Sequence, residues 1–282
     1  MLLFDTAALR TDLLPGGGGA DVSSFFGTSA QLWAVGLIFL RLTSLVMLVP
    51  GLGDSAVPPR LRLGFAFMLA LVIAPIVRDT LPPLPNTLGA MAGDVFHEVI
   101  IGLMLGTLMR VLLFTLIISG EIMSLQTTLS FAQTANPAQA QPSTSLGTFL
   151  AMLGLVMIYA TNMHHLFIRA MVDSYQIFSP TKAIMIGDAT TLMLKTVTQC
   201  FALALQMAAP LIVFALVFNI ATGFVGRIMP NFPVFFAATP LSVLFGLSLM
   251  ALSLGATGMV FIDHYGEFLA LFIRGGHVNH GT

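Results

Sequence analysis

The chain has 282 residues, of which 57% are hydrophobic and only 8% charged, with a formal net charge of −1. Soluble domains carry roughly 25% charged residues, so the chain is an integral membrane protein or a subunit enclosed by equally apolar partners. The charge balance argues against attraction to nucleic acid or anionic lipid, and the single Cys200 leaves no disulfide or cysteine metal site to build.

Residues 1–30 lack the basic start and small-residue cleavage site of a secretory signal. Pro15, Gly16 to Gly19, Asp21, Ser23 and Ser24 make them read as a retained flexible tail. A single membrane domain is expected over 31–272, followed by a short tail at 273–282. Six blocks within it approach the roughly 20 apolar residues that cross a bilayer: 31–50, 61–77, 93–118, 146–168, 191–222 and 232–262. The expected fold class is all-α, a polytopic membrane protein of about six hydrophobic helical segments, partly kinked where Pro210 and Pro240 interrupt the last two. If all six blocks cross, Arg10, Arg78, Arg169, Lys182 and Arg274 face one side and Arg60, Arg62 and Arg227 the other. That bias is weak. It fits either a noisy sequence or hairpins that do not end in an ordinary lipid-spanning arrangement.

Arg41 lies in the middle of the first block. An arginine there costs at least about 2.5–3.5 kcal/mol on insertion scales unless it is paired or hydrated. Snorkelling is the alternative, but either end of the block is about two to three turns away. In the third block Glu98 and Arg110 are about 18 Å apart along a helix and cannot pair with each other. Glu98 is therefore a candidate partner for Arg41, or for a charge on another subunit. Glu98, Gly102 and Gly106 recur every four residues on one face, and the glycines permit close approach of a second helix. Arg41, Glu98, Gly102, Gly106, Arg110 and Arg227 form the candidate set for buried charge and subunit packing. An ion pair in such a place is better read as setting register than as adding stability.

No Asp, Glu, Lys or Arg occurs between Glu121 and Arg169, yet this is not one greasy span. Ser124, Gln126, Thr127, Thr128, Ser130, Gln133 and Asn136 crowd its first half, Pro137 and Pro142 punctuate it, and hydrophobic sequence resumes only at Leu146. Polar, uncharged, broken backbone at membrane depth suits buried protein or the lining of an aqueous path. Met123, Leu125, Gln126, Leu129 and Phe131 are candidates for a constriction that seals against ions and yields to a passing chain, since soft apolar side chains reshape around different surfaces. The bland alternative is that these residues are core or lipid-facing.

His164 and His165 end the fourth block, and adjacent helical histidines point about 100° apart, poorly placed to grip one metal. His97-Glu98 lacks the second histidine of a zinc-protease motif, because position 101 is Ile. With no Gly-x-Ser-x-Gly elbow or phosphate loop either, no catalytic residue, metal or cofactor is expected. In the fifth block Lys195, Gln199 and Gln206 share a helical face. Lys195 suits an interfacial start, whereas Gln206 lies deeper and needs a hydrogen-bond partner.

In order and spacing these elements resemble the FliR family of flagellar export-gate proteins, related to the export-gate subunits of virulence type III secretion systems. The resemblance covers about residues 31–272 and rests on Arg41 with Pro50, Val57-Pro58 before Arg60 and Arg62, and Glu98-x-x-x-Gly102-x-x-x-Gly106. Gly120 with Gln126, Asn162 to His165, Ser174-Tyr175 and Pro180 follow, then Pro210, Asn219, Gly223, Arg227, Pro230 and Pro240 with Gly246-Leu247. Pro230 to Phe235 departs from the family's Pro-Gln-x-Asn-x-Phe, and Ala238 replaces a usual glycine, which affects the contacts of that turn.

The resemblance implies a single-copy subunit of a hetero-oligomeric helical gate, in a bacterial inner membrane at the flagellar basal body. Its partners would be two other small hydrophobic export-gate proteins in several copies each and a larger switch subunit. Unfolded flagellar subunits would pass through the centre, with residues 119–145 near the channel constriction and much of the chain held above the ordinary membrane plane. The competing reading is a small-solute secondary transporter using Arg41 and Glu98 as midplane groups. Such a protein often shows two similar halves, and no convincing internal repeat is visible.

Overall fold

The computed structural model describes residues 28–54, 57–129, 145–181 and 186–275. All of the described elements are helical. They are α1 (Ser29–Val46), α2 (Pro59–Val77) with a short 3-10 turn (Arg78–Thr80), α3 (Leu88–Gln126), α4 (Ser145–Ala160), α5 (Met163–Ile177), α6 (Ile186–Ile228) and α7 (Val234–Gly275). Five of these helices are long and apolar enough to cross a membrane.

Local chemistry sets the boundaries. The Gln31 side chain accepts the Thr28 N–H in the first turn of α1 at 3.1 Å. Pro59 occupies the first turn of α2, where its missing N–H has no helical partner to lose. Arg62 anchors the preceding loop, donating to the Val57 carbonyl at 3.0 Å and to the Asp54 carbonyl. Thr87 caps α3 by accepting the Ala90 N–H at 3.3 Å.

The fourth block differs from its expected single span. It breaks after Ala160, and α4 and α5 meet at 79°. Asn162 stands at the break in the left-handed region, φ 58°, a conformation that asparagine tolerates better than most side chains. His164 and His165 consequently lie in the first turn of α5 rather than at the end of a span, with their rings 4.1 Å apart.

The central element is α3, which packs against α1, α4 and α6, while α7 lies on α4, α5 and α6. The core runs through Ile38, Leu42 and Leu45 of α1, Ile101 and Leu108 of α3, and Leu211 of α6. Lipid is as apolar as these side chains, so close packing and polar contacts, rather than transfer from water, decide which helices associate. Gly102 and Gly106 provide one close contact. A Cβ at Gly102 would run into the Arg41 carbonyl and the Ser44 hydroxyl, and one at Gly106 would lie 2.8 Å from Leu48 Cβ. Gly120 provides another, crossing α4 with its Cβ position 2.5 Å from the Gly147 Cα.

Three helices are too long for a bilayer. At 1.5 Å per residue α3 extends about 58 Å, α6 about 64 Å and α7 about 63 Å, against a hydrocarbon core of about 30 Å. The paired α6 and α7 leave the core well before their connecting turn at 229–233. No residue from 216 to 241 is buried, and Phe224, Ile228, Phe235 and Phe236 stand exposed along this free end.

Candidate functional site

Two places carry the chemistry expected of the sequence. The first is Arg41, which is 1% exposed in the middle of α1. Its Nε donates to Glu98 Oε2 at 2.5 Å and its Nη2 to Glu98 Oε1 at 2.9 Å, a fork that uses both carboxylate oxygens. Nη2 also donates to the Phe178 carbonyl at 3.1 Å, and Nη1 reaches Ser174 Oγ at 3.5 Å. The guanidinium carbon lies 3.9 Å from the centre of the Tyr175 ring, in cation–π range. Glu98 is fully buried.

The sequence offers Glu98 as one candidate partner for Arg41, and the structure brings the two together. Ser174, Tyr175 and Phe178 escape sequence reasoning because the bend at Asn162 redirects α5 and brings its end to the Arg41 side chain. Their sole advance signal is that Ser174-Tyr175 stands among the motif elements. The cluster joins α1, α3 and α5 through one side chain.

The second place is the carboxyl end of α3. Met123, one of the expected constriction residues, is 1% exposed and packs into the core of this chain. The outward residue is Leu125, 64% exposed, with Gln126 and Leu129 half-buried. Helix phase explains the difference, since Met123 and Leu125 lie about 200° apart. Phe131 lies outside the described residues, as does most of the polar segment. Thr127 is fully buried and closes the helix, its hydroxyl donating to the Met123 carbonyl at 3.0 Å. Thr128 follows with φ 59°.

Two expected buried charges are not buried in this chain. Arg110 is exposed on the outer face of α3, its guanidinium 5.9 Å from the Phe114 ring centre. Arg227 is exposed on the free end of α6. For Arg110, position within an apolar block did not imply burial, because its face of α3 is left open by this chain; Arg227 falls between two blocks. Lys195, Gln199 and Gln206 do share a face, which lines an open cleft of about 470 Å³ with His264 and Glu267 of α7. Among the described residues no group of three or more His, Cys, Asp or Glu is placed to hold a metal ion.

The model of the bacterial export proteins, family 1, matches residues 32–268. The flagellar biosynthetic protein FliR of Caulobacter vibrioides is 53% identical over 247 residues, covering 88% of this chain and 98% of that protein. The protein of the same name from Escherichia coli is 30% identical over 212 residues, covering 75% and 80% of the two chains. That of Aquifex aeolicus is 27% identical over 236 residues, covering 84% and 91%.

Proposed function

This chain belongs to family 1 of the bacterial export proteins, the family of the FliR proteins, and we propose that it is a structural and gating subunit of the flagellar type III protein-export gate. It is a multi-pass membrane protein of the flagellar export apparatus, in the bacterial inner membrane at the basal body. Its working unit is one membrane domain over 31–272, and it forms part of the path for unfolded flagellar subunits without catalysing a reaction. Its partners are two other small hydrophobic gate proteins, several copies each, and a larger switch subunit.

The observation that carries this reading is the free end of the α6–α7 hairpin. Helices of about 63 Å with apolar side chains left exposed along their outer reach exceed what about 30 Å of hydrocarbon can cover. The remaining apolar surface requires protein of similar chemistry. Arg110 and Arg227, exposed on outer faces, are positions for contacts with such neighbours.

The Arg41–Glu98 pair speaks against the transporter. A solute or proton site needs a group free to exchange partners, whereas both carboxylate oxygens and all three guanidinium nitrogens are engaged within the chain. The pair holds helices in register. The exposure of Leu125, with Gln126 and Leu129 half-buried beside it, supports a contribution of these three to a constriction.

Native mass spectrometry of the chain, purified gently from its own membranes by a terminal tag, tests the proposal. One copy with several copies of two other small hydrophobic proteins is the expected result. A lone monomer or homo-oligomer that survives mild detergent would overturn it.

A further inference from the structure

Thr127 at the end of α3 packs into the space left open by Gly246 of α7. A Cβ added at Gly246 would overlap Thr127 Cγ2 and lie 2.9 Å from Thr127 Cβ. Ser242 and Gly246 are the first buried residues of α7. The contact therefore falls where the hairpin leaves the core, and beyond it α6 and α7 have no cover from this chain. On the α3 side, Thr127 is held by its own hydrogen bonds: its N–H and its hydroxyl both donate to the Met123 carbonyl, each at 3.0 Å.

Thr128 comes next, at φ 59°. A β-branched residue in the left-handed region is strained and persists only where its surroundings over-determine it. Here the surroundings are the Thr128 N–H to the Leu125 carbonyl at 3.4 Å, its hydroxyl to the Thr127 carbonyl at 2.7 Å, and the wedge of Thr127 against Gly246. The two local bonds are available in any free chain end; among the described residues, the wedge on the neighbouring Thr127 is the restraint that comes from another helix. Leu125 and Gln126 keep the phase of α3, whereas Leu129 follows the strained residue, so the turn fixes where the Leu129 side chain points.

We propose that Gly246 and Thr127 are positioning residues that set the Thr127–Leu129 turn from the root of the α6–α7 hairpin. This deepens the export-gate reading and rests on it. Partners that grip the free hairpin bear on the placement of α7, α7 packs on Thr127, and Thr127 precedes the residue that directs Leu129. The placement of the hairpin and that of the turn are thereby linked within one chain.

The wedge predicts a size-complementation pattern. Cells carrying the full chain with Gly246→Ala, Thr127→Ser, or both are compared for assembled gate and for ion leak per assembled gate. Gly246→Ala adds a methyl where Thr127 Cγ2 stands and should raise the leak severalfold with assembly retained. Thr127→Ser removes that methyl and keeps the capping hydroxyl, leaving the 2.9 Å approach to the residue's Cβ, so the double variant should lose most of the added leak. A leak unchanged in Gly246→Ala, or unrelieved in the double variant, overturns the proposal.

Thr127→Ser alone covers the case in which Gly246→Ala blocks assembly. It removes the methyl that meets Gly246 while keeping the capping hydroxyl, and should loosen the turn, raising the leak in fully assembled gates; an unchanged leak there also overturns the proposal. Failure of the chain to associate with other hydrophobic proteins would instead remove the export-gate reading, and the two failures are distinguishable in the same preparation.

Discussion

Arg41 and Glu98 meet as a two-bond fork across the α1–α3 interface, at 2.5 and 2.9 Å, with both side chains essentially sealed from outside. Removing either partner strands the other charge, at a cost of about 3–5 kcal/mol for a buried pair. Arg41→Ala and Glu98→Ala should each reduce assembled gate and export by an order of magnitude or more. The amount of chain recovered in the intact complex measures this, and normal recovery in both variants would remove the pair from the architecture.

Exchanging the two charges should restore little. Taken as a bare pair, Arg41→Glu with Glu98→Arg would regain the attraction. The observed arginine also donates to the Phe178 carbonyl and Ser174 and stacks on Tyr175, all reached from α1. A glutamate at 41 has no donor for Phe178, so the exchanged pair should support much less than half of normal motility in soft agar. Full recovery would mean that the α5 contacts are incidental.

Close approach of α1 and α3 sets a contrast among glycines on a single helix. Gly102→Ala must push against the Arg41 carbonyl, which is backbone and cannot rotate away. Overpacking of this kind costs about 1–3 kcal/mol, and here it also displaces the Arg41–Glu98 fork one turn away. A Cβ at Gly93 meets nothing within 4 Å, so Gly93→Ala should gain up to about 1 kcal/mol of helix propensity. Thermal unfolding of the purified complex should fall for the first variant and hold or rise for the second.

Much of this was legible in the sequence, and for physical reasons. Apolar length announces membrane helices, and a charge in a helix centre announces a partner, which is why Arg41, Glu98 and the Gly102–Gly106 face could be set out in advance. The inward face of α3 was not legible. A helix that is apolar on every side carries no periodic signal of which side meets protein, so Met123 and Leu125, set out together as constriction candidates, came out on opposite faces and Arg110 came out exposed. The bend between α4 and α5 was also hidden: Asn162 permits a left-handed residue but does not demand one, and Ser174, Tyr175 and Phe178 reach Arg41 only after that bend.

Asn162 itself gives a graded test of the bend. Its φ of 58° suits glycine, is tolerated by asparagine, and costs a β-branched residue about 1–2 kcal/mol. Asn162→Gly should leave assembly near normal, whereas Asn162→Val should lower the unfolding temperature of the complex by a few degrees. Equal stability of the two variants would show that α4 and α5 can meet without a left-handed residue.

Leu125 and Met123 separate sealing from stability. Met123 is 1% exposed, so Met123→Ala leaves a cavity worth about 2–5 kcal/mol and should reduce the amount of assembled gate. Leu125 is 64% exposed to the outside of the chain, so Leu125→Ala removes little packing and should leave that amount unchanged. If the exposed leucine helps to close the path, the ion leak measured per assembled gate rises in Leu125→Ala and stays low in whatever gate Met123→Ala still assembles. A rise in neither variant would place the seal elsewhere on the path, and a rise in Met123→Ala alone would mean that core packing, rather than a side chain in the path, holds it shut.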